Sequence, residues 1–156
     1  MVSAEAGSVG PIGSVLFAYD GSDLAGFAIE EASRQLETGR DALVLCVWQP
    51  VDVGFMPVSG RHFDADQATE VRKAAEETAK HGAALACDAG FRAQALTVQA
   101  APTWKGIVET AQEHGASLIV LGSHRHSGLM GHFHGNVAAA VIARGSFSVL
   151  VVHPGR

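Results

Sequence analysis

The chain has 156 residues and a formal net charge of −5, and its hydrophobic share of 47% is ordinary for a folded globular protein. This length predicts a single domain that is large enough to bury a core. The acidic balance argues against general binding to nucleic acid or to anionic membranes, because no basic surplus offsets phosphate repulsion. The cysteines form no C-x-x-C pair, so a secreted disulfide framework is not expected.

Residues 1–11 are expected to form a flexible leader ahead of a domain that spans residues 12–156. The leader has neither the basic region nor the apolar region of a signal peptide. No apolar stretch in the sequence is long enough to cross a membrane. These observations predict a cytoplasmic protein.

The first predicted elements are a strand, a helix and a second strand. The strands, Ser14–Tyr19 and Ala42–Trp48, are continuously apolar, as expected of strands that are covered on both faces. Between them, apolar residues recur every four positions and predict a helix that ends before Gly39. Cys46 is expected to be a small buried thiol.

The middle of the chain begins with an irregular segment, Gln49–Asp64, which contains two prolines and two glycines. Such a segment is a functional or mobile loop or a plain surface excursion, and the sequence leaves both open. Asp66–Ala89 is rich in Ala, Glu and Lys and predicts a long helix closed by Gly90. Phe91–Gln99 alternates in polarity and predicts a strand nearer an edge of the sheet.

The last third repeats the alternation. Pro102 is favourable in a first helical turn and predicts a helix that runs to Gly115. Ser117–Gly122 is an apolar strand, "NVAAAVIAR" predicts a short helix that ends at Gly145, and Phe147–Val152 is the final strand. Strict strand–helix alternation predicts an α/β fold with a parallel sheet and right-handed crossovers.

Ligands of such sheets bind beyond the carboxyl ends of the strands, where the strand order reverses. Three candidate elements end there: Asp20-Gly21-Ser22, the end of the second strand near Val47, and the loop from Gly122 to the helix that begins near Gly135. Glycines let backbone N–H groups turn toward an anion, and a helix start adds unpaired donors and a positive dipole end.

The segments "VLFAYDGSDLA", "GASLIVLGSH" and "SVLVV" resemble the universal stress protein domain in order and spacing, over about residues 12–153. The resemblance implies a Rossmann-like, open five-stranded parallel sheet of order 3-2-1-4-5, with helices on both faces. It also implies a homodimer that pairs through the last strand. An apolar strand at a sheet edge would be exposed unless paired, which supports that expectation physically.

The family's nucleotide signature is G-x-x-G-x9-G-[S/T] after the fourth strand. Gly122 fits its first glycine and Gly135 its last, whereas Arg125 replaces the second glycine and Asn136 replaces the Ser or Thr. If this position needs the positive φ or the close phosphate approach that glycine allows, Arg125 would prevent nucleotide binding. Alternatively, its guanidinium would contact the phosphates of the nucleotide. Asn136 is a good N-cap with an amide that can donate a hydrogen bond.

The resemblance implies that the site binds ATP, or AMP or ADP, with or without Mg²⁺. Asp20 would hold the adenosine part, although it is equally suited to capping the first helix, a role for which Ser22 and Asp23 compete. The full set of residues expected at the nucleotide is Ala18, Asp20, Val47, Leu121, Gly122, His124, Arg125, Gly135, Asn136 and Val137.

Four histidines form two H-x-H pairs between His124 and His134 and suggest a metal site as an alternative. The segment is expected to be a loop, where this spacing does not converge on one ion, and no Cys, Asp or Glu lies between Gly122 and Arg144. The competing interpretation is a set of solvent-facing histidines, with His124 at the nucleotide pocket. A further hypothesis is that they titrate near neutral pH and alter the charge of the loop.

The resemblance therefore implies a nucleotide-binding protein with a stress-response or regulatory role. No nucleophile–base pair is apparent, so we expect at most a slow ATPase. One alternative is a family member that has lost ATP binding and acts as a dimeric interaction module. A weaker alternative is a metal-binding protein that uses the histidine cluster.

Overall fold

The computed structural model describes residues 13–49, 65–124 and 136–155. Within them, strands and helices alternate as predicted. The elements in chain order are β1 (Val15–Ala18), α1 (Asp23–Gln35), β2 (Asp41–Trp48), α2 (Ala65–Asp88), β3 (Arg92–Gln99), α3 (Thr103–Glu113), β4 (Leu118–Gly122), α4 (Val137–Arg144) and β5 (Ser148–Val152). The predicted leader and the segment after Gln49 up to residue 64 lie outside the described residues.

The five strands form one parallel sheet of order β3-β2-β1-β4-β5, which confirms the predicted fold. In the centre, Leu16 pairs with Leu43 on one side and with Ile119 on the other. The chain moves from β1 outward to β3 and then returns to the far side of β1 with β4. The point at which the strand order reverses therefore lies between β1 and β4, where a ligand crevice is expected.

Both faces of the sheet are covered, which explains why the central strands are continuously apolar. On one face, Phe17 and Ile29 belong to a buried cluster with the alanines of α1 and α2. Phe17 also meets Phe91 edge-on, with 5.2 Å between ring centroids. On the other face, Leu16 packs with Ile107 of α3 and Val141 of α4.

Element ends differ from the prediction by one or a few residues. Leu36, predicted inside the first helix, is instead its C-cap with an extended backbone, and its side chain packs against the core. Asp41 extends β2 by one residue and forms a 2.8 Å ion pair with Arg92 on β3. Pro102 is the N-cap of α3 and not a residue of its first turn.

Two further predictions concern the burial of Cys46 and the absence of a membrane-spanning segment. Cys46 is buried as predicted, whereas Cys87 is exposed. Among the helices of the described ranges, none combines the length and the apolar character that crossing a membrane requires.

Candidate functional site

A cavity of about 220 Å³ opens at the carboxyl ends of β1, β2 and β4. This is several times the roughly 30 Å³ that one water molecule occupies in the liquid, so the cavity can admit part of a small ligand. Seven residues predicted for the nucleotide site line it, namely Ala18, Asp20, Val47, Leu121, Gly122, His124 and Val137. The cavity lies where the strand order reverses, as the topology requires.

Of the three remaining predicted residues, the structure describes Asn136 alone. Asn136 does not line the cavity but immediately precedes Val137, which does. Arg125 and Gly135 lie outside the described residues. Ser22, in the candidate element after the first strand, also lines the cavity, although it was not assigned to the nucleotide. Sequence reasoning missed the rest of the lining, which consists of Tyr19, Leu24, Ala25, Leu45, Thr103 and Ile107.

The end of β1 turns sharply into α1 and presents Asp20 at the cavity. The Asp20 carboxylate accepts a hydrogen bond from the Ser22 backbone N–H at 3.0 Å. Ser22 in turn caps α1, because its hydroxyl accepts from the Ala25 N–H at 3.2 Å. Gly21 permits the turn with a φ of 84°. The capping role that the sequence left open therefore belongs to Ser22, and Asp20 stands exposed beside the cavity.

Tyr19 is buried, with 4% of its surface exposed, and its hydroxyl lies 2.8 Å from Nδ1 of His81 on α2. Burial raises the pKa of the Tyr19 hydroxyl above its usual range, and the negative charges of Asp20 and Asp23 raise it further. The phenol is therefore neutral at physiological pH. A Cβ at Gly82 would lie 2.6 Å from the Tyr19 ring, so this glycine lets α2 pack directly on it.

The β2 end and α3 provide a largely apolar wall. Leu45 and Ile107 are fully buried, and Val47 is half-buried beside the cavity. Gly106 allows α3 to approach the end of β2, since a Cβ there would lie 3.2 Å from the Val47 methyl groups. Thr103, at the start of α3, receives a long hydrogen bond of 3.5 Å from the Gln49 side-chain amide.

Gly122 ends β4 against α1. A Cβ at this position would lie 2.7 Å from Leu24 Cγ and 3.1 Å from the Leu24 carbonyl oxygen. Its φ is not in the left-handed region. The first glycine of the signature is therefore required for close packing with α1, a reason that the sequence argument about backbone N–H groups did not contain.

Asn136 is the N-cap of α4, in agreement with its predicted capping ability. Its side-chain oxygen accepts a hydrogen bond from the Ala139 N–H at 3.1 Å. The oxygen is thus engaged in capping, and any contact to a ligand would come from the amide N–H groups.

Three helices begin at the cavity. Ser22 is the N-cap of α1, Thr103 is the first residue of α3, and Val137 is the first residue of α4. All three residues line the cavity. Helix N-termini carry unpaired N–H donors and a positive partial charge, so their convergence favours an anionic ligand group. Asp23 in the first turn of α1 offsets part of this charge.

Within the described part of the chain, a metal site has less support than an anion site. No group of three or more His, Cys, Asp or Glu residues in ranges 13–49, 65–124 and 136–155 could hold a metal ion. Of the predicted histidine cluster, His124 lies at the cavity, and His126, His132 and His134 lie outside the described residues.

The sequence matches the model of the universal stress protein family over residues 11–153. It is 28% identical over 148 residues to universal stress protein YxiE of Bacillus subtilis (strain 168), covering 88% of this chain and 97% of that protein. The described fold and the cavity between β1 and β4 agree with this match.

Many solved structures share the fold, among them two complexes with nucleotides. A universal stress protein in complex with cAMP has a TM-score of 0.61 and 22% identity, covering 91% of this chain and 97% of that one. The universal stress protein of Archaeoglobus fulgidus in complex with dAMP has a TM-score of 0.55 and 23% identity, covering 90% and 97%. At these identities the likeness to the solved structures establishes the fold alone. The family model, in contrast, matches nearly the whole chain, and this match shows that the protein belongs to the universal stress protein family.

Proposed function

We propose that this protein binds an adenine nucleotide, ATP or the related AMP or ADP, in the cavity between β1 and β4. The observation that carries the proposal is the convergence of three helix N-termini on a cavity that also presents Asp20 and an apolar wall. Each part suits one part of a nucleotide. Related proteins of the same fold that bind cAMP and dAMP support this assignment.

The apolar side of the cavity, formed by Val47, Ile107 and Leu121, would receive the adenine ring. The Asp20 carboxylate would accept hydrogen bonds from ribose hydroxyls, since ionised carboxylates are strong acceptors. The phosphates would then extend from the end of β4 toward the start of α4, where the dipole and N–H groups favour negative charge.

ATP would bring further requirements beyond those of a monophosphate. In our proposal the Arg125 guanidinium contacts the outer phosphates, and the Asn136 amide takes over the donor role of the family's Ser or Thr. Mg²⁺, when present, would neutralise phosphate charge, and it would come mainly with the phosphates because this ion keeps several waters and few protein ligands.

We further propose a regulatory stress-response protein of the cytoplasm that binds nucleotide and hydrolyses ATP slowly at most. The family resemblance supports this role. We also propose that it is a homodimer that pairs through β5. This strand lies at a sheet edge, and its side chains Val149, Leu150 and Val151 are only partly buried, so a second copy would cover both its open hydrogen-bonding edge and apolar surface.

Isothermal titration of nucleotide-stripped protein with ATP, AMP and Zn²⁺ tests the proposal. We expect saturable binding of both nucleotides, with Asp20→Asn weakening both about tenfold or more, because a hydrogen bond to a charged acceptor is worth about 1.5–3 kcal/mol. Asp88→Asn, a change at the exposed end of α2, is the matched control and should bind like the wild type.

Two outcomes would contradict the proposal in different ways. Absence of nucleotide binding together with tight zinc binding would favour the histidine-cluster alternative. Absence of binding by every ligand, with dimers in solution, would favour an interaction module that no longer uses the cavity.

A further inference from the structure

The exit of β4 is held by the C-terminal segment of the chain. Gly122 lies opposite Val152 in the parallel ladder. The pairing continues one residue past both strands, where the Ser123 N–H donates to the Val152 carbonyl at 2.8 Å. Ser123 is thus opposite His153, although neither residue belongs to a strand.

The next hydrogen bond of this ladder cannot form in the usual way. In a parallel pair, the residue that donates to one partner accepts from the N–H two positions further along that partner. The Ser123 carbonyl would therefore accept from residue 154, which is Pro154 and has no N–H. The proline ends the ladder and leaves the Ser123 carbonyl without its main-chain donor.

The side chain of His153 supplies the missing donor. Its Nδ1 lies 2.9 Å from the Ser123 carbonyl oxygen. A carbonyl oxygen can only accept, so Nδ1 carries the proton of this hydrogen bond. Both backbone groups of Ser123 are consequently bound by consecutive residues, the N–H by Val152 and the carbonyl by His153.

This arrangement fixes a part of the cavity wall. Ser123 lies between Gly122 and His124, and both neighbours line the cavity. In addition, Leu24 of α1 contacts Gly122 so closely that no Cβ fits between them. The β4 exit is therefore held by both α1 and the end of β5, and we expect the orientation of the peptide that leads into His124 to depend on both.

We propose that His153 is a positioning residue of the nucleotide site, acting through Ser123 as a side-chain substitute for the N–H that Pro154 lacks. The inference rests on the proposed nucleotide binding. It assigns His153 no contact with the ligand: the imidazole holds the peptide between Ser123 and His124 in the orientation that the bound phosphate requires.

Titration of nucleotide-stripped protein with AMP tests this role. His153→Ala should weaken AMP binding about two- to tenfold, the range expected for one hydrogen bond that is lost to solvent. His153→Asn should bind nearly like the wild type, because the Asn amide nitrogen occupies the position of Nδ1 relative to Cβ. The double variant His153→Ala/Pro154→Ala should also recover affinity, since an alanine at position 154 provides the main-chain N–H.

His114→Ala is the matched control, because His114 Nδ1 also lies 3.0 Å from a backbone carbonyl, that of Thr110, but at the opposite end of the sheet. It should leave AMP affinity unchanged. Thermal unfolding is recorded for every variant. If His153→Ala does not fold, His153→Asn and His153→Gln decide the matter, and the Gln variant, whose amide is one methylene farther out, should bind more weakly.

Wild-type affinity in His153→Ala would overturn the inference alone. The inference also fails if the Asn and double variants bind as weakly as the Ala variant, because the lost donor would then not be the cause. A wild-type protein that binds neither AMP nor ATP would overturn the proposed function and this inference together, so the two failures are distinguishable.

Discussion

The exits of β1 and β4, where the chain leaves each strand, border the same cavity. The β1 exit is held by residues close to it in the sequence, whereas the β4 exit is held by residues that are distant in the sequence. After β1, the turn is stabilised by hydrogen bonds between near neighbours, from Ser22 to Asp20 and from Ala25 to Ser22. After β4, the chain is held by Leu24 and by His153, residues far away in sequence. Local hydrogen bonds make a turn that is recognisable from its own residues, whereas remote contacts depend on the whole fold.

The largest effect is expected at the β4 exit. Gly122→Ala places a methyl group against Leu24 Cγ and its backbone oxygen, and overpacking of this kind costs about 1–3 kcal/mol of stability. Because the backbone oxygen cannot yield as a side chain does, β4 and α1 must separate, and AMP affinity should fall at least tenfold. Chemical denaturation and AMP titration measure the two effects.

Gly155→Ala is the control for this substitution, since nothing lies within 4 Å of a Cβ at that position. A Gly122→Ala protein with unchanged stability and affinity would show that the β4 exit tolerates the displacement, and the contrast between the two exits would lose its basis.

A smaller effect is expected at the β1 exit. Ser22→Ala removes the side-chain cap of α1 and should lower the free energy of unfolding by about 1 kcal/mol. Ser22→Asp keeps an acceptor at the cap and should restore most of this stability, as measured by urea denaturation. If the Ala and Asp variants are equally unstable, the cap is not the reason for the loss.

The smallest effect is expected at Tyr19. Tyr19→Phe removes the hydrogen bond to His81 but keeps the ring against Gly82, so the loss should be about 0.5–1 kcal/mol. The raised pKa of Tyr19 gives the wild type an additional pH signature. The folded state favours the protonated phenol over the phenolate. The resulting contribution to the free energy of unfolding is present below pH about 10 and is lost as the pH rises through the folded-state pKa.

Denaturation of both proteins between pH 8 and pH 11 separates these contributions. The stability difference between wild type and Tyr19→Phe should shrink at the alkaline end. A difference that stays constant across this range would mean that the burial of the Tyr19 hydroxyl does not affect its ionisation.

The sequence was sufficient for the fold because hydrophobic pattern and topology are linked. Continuous apolar runs identified the covered strands β1, β2 and β4, and the alternating run at β3 identified a sheet edge. The equally apolar run at β5 did not reveal that this strand is the other edge, with side chains that are only partly buried. The resemblance to the family supplied the strand order. The element ends were less predictable, since Leu36 packs on the core from an extended conformation that its helical spacing does not reveal.

The residues of the site also fall into two groups, those that the local sequence predicts and those whose position depends on the whole fold. Residues at or next to the ends of strands, such as Ala18, Val47 and Leu121, were expected at the ligand edge from topology and resemblance, and they do line the cavity. Tyr19, Leu24 and Thr103 were missed because their place at the cavity follows from how α1, α2 and α3 pack. An Xaa-Pro step directly after an edge strand was the one sequence signal that would have drawn attention to His153.

The contact between Gly82 and Tyr19 has an evolutionary consequence. A side chain at position 82 would overlap both the Tyr19 ring and a methyl group of Val44, which lies on the neighbouring strand. A larger residue at position 82 therefore fits only in a lineage where the side chains at both positions 19 and 44 have already lost volume. These three positions come from three different parts of the chain and are expected to change together, although only Tyr19 touches the cavity.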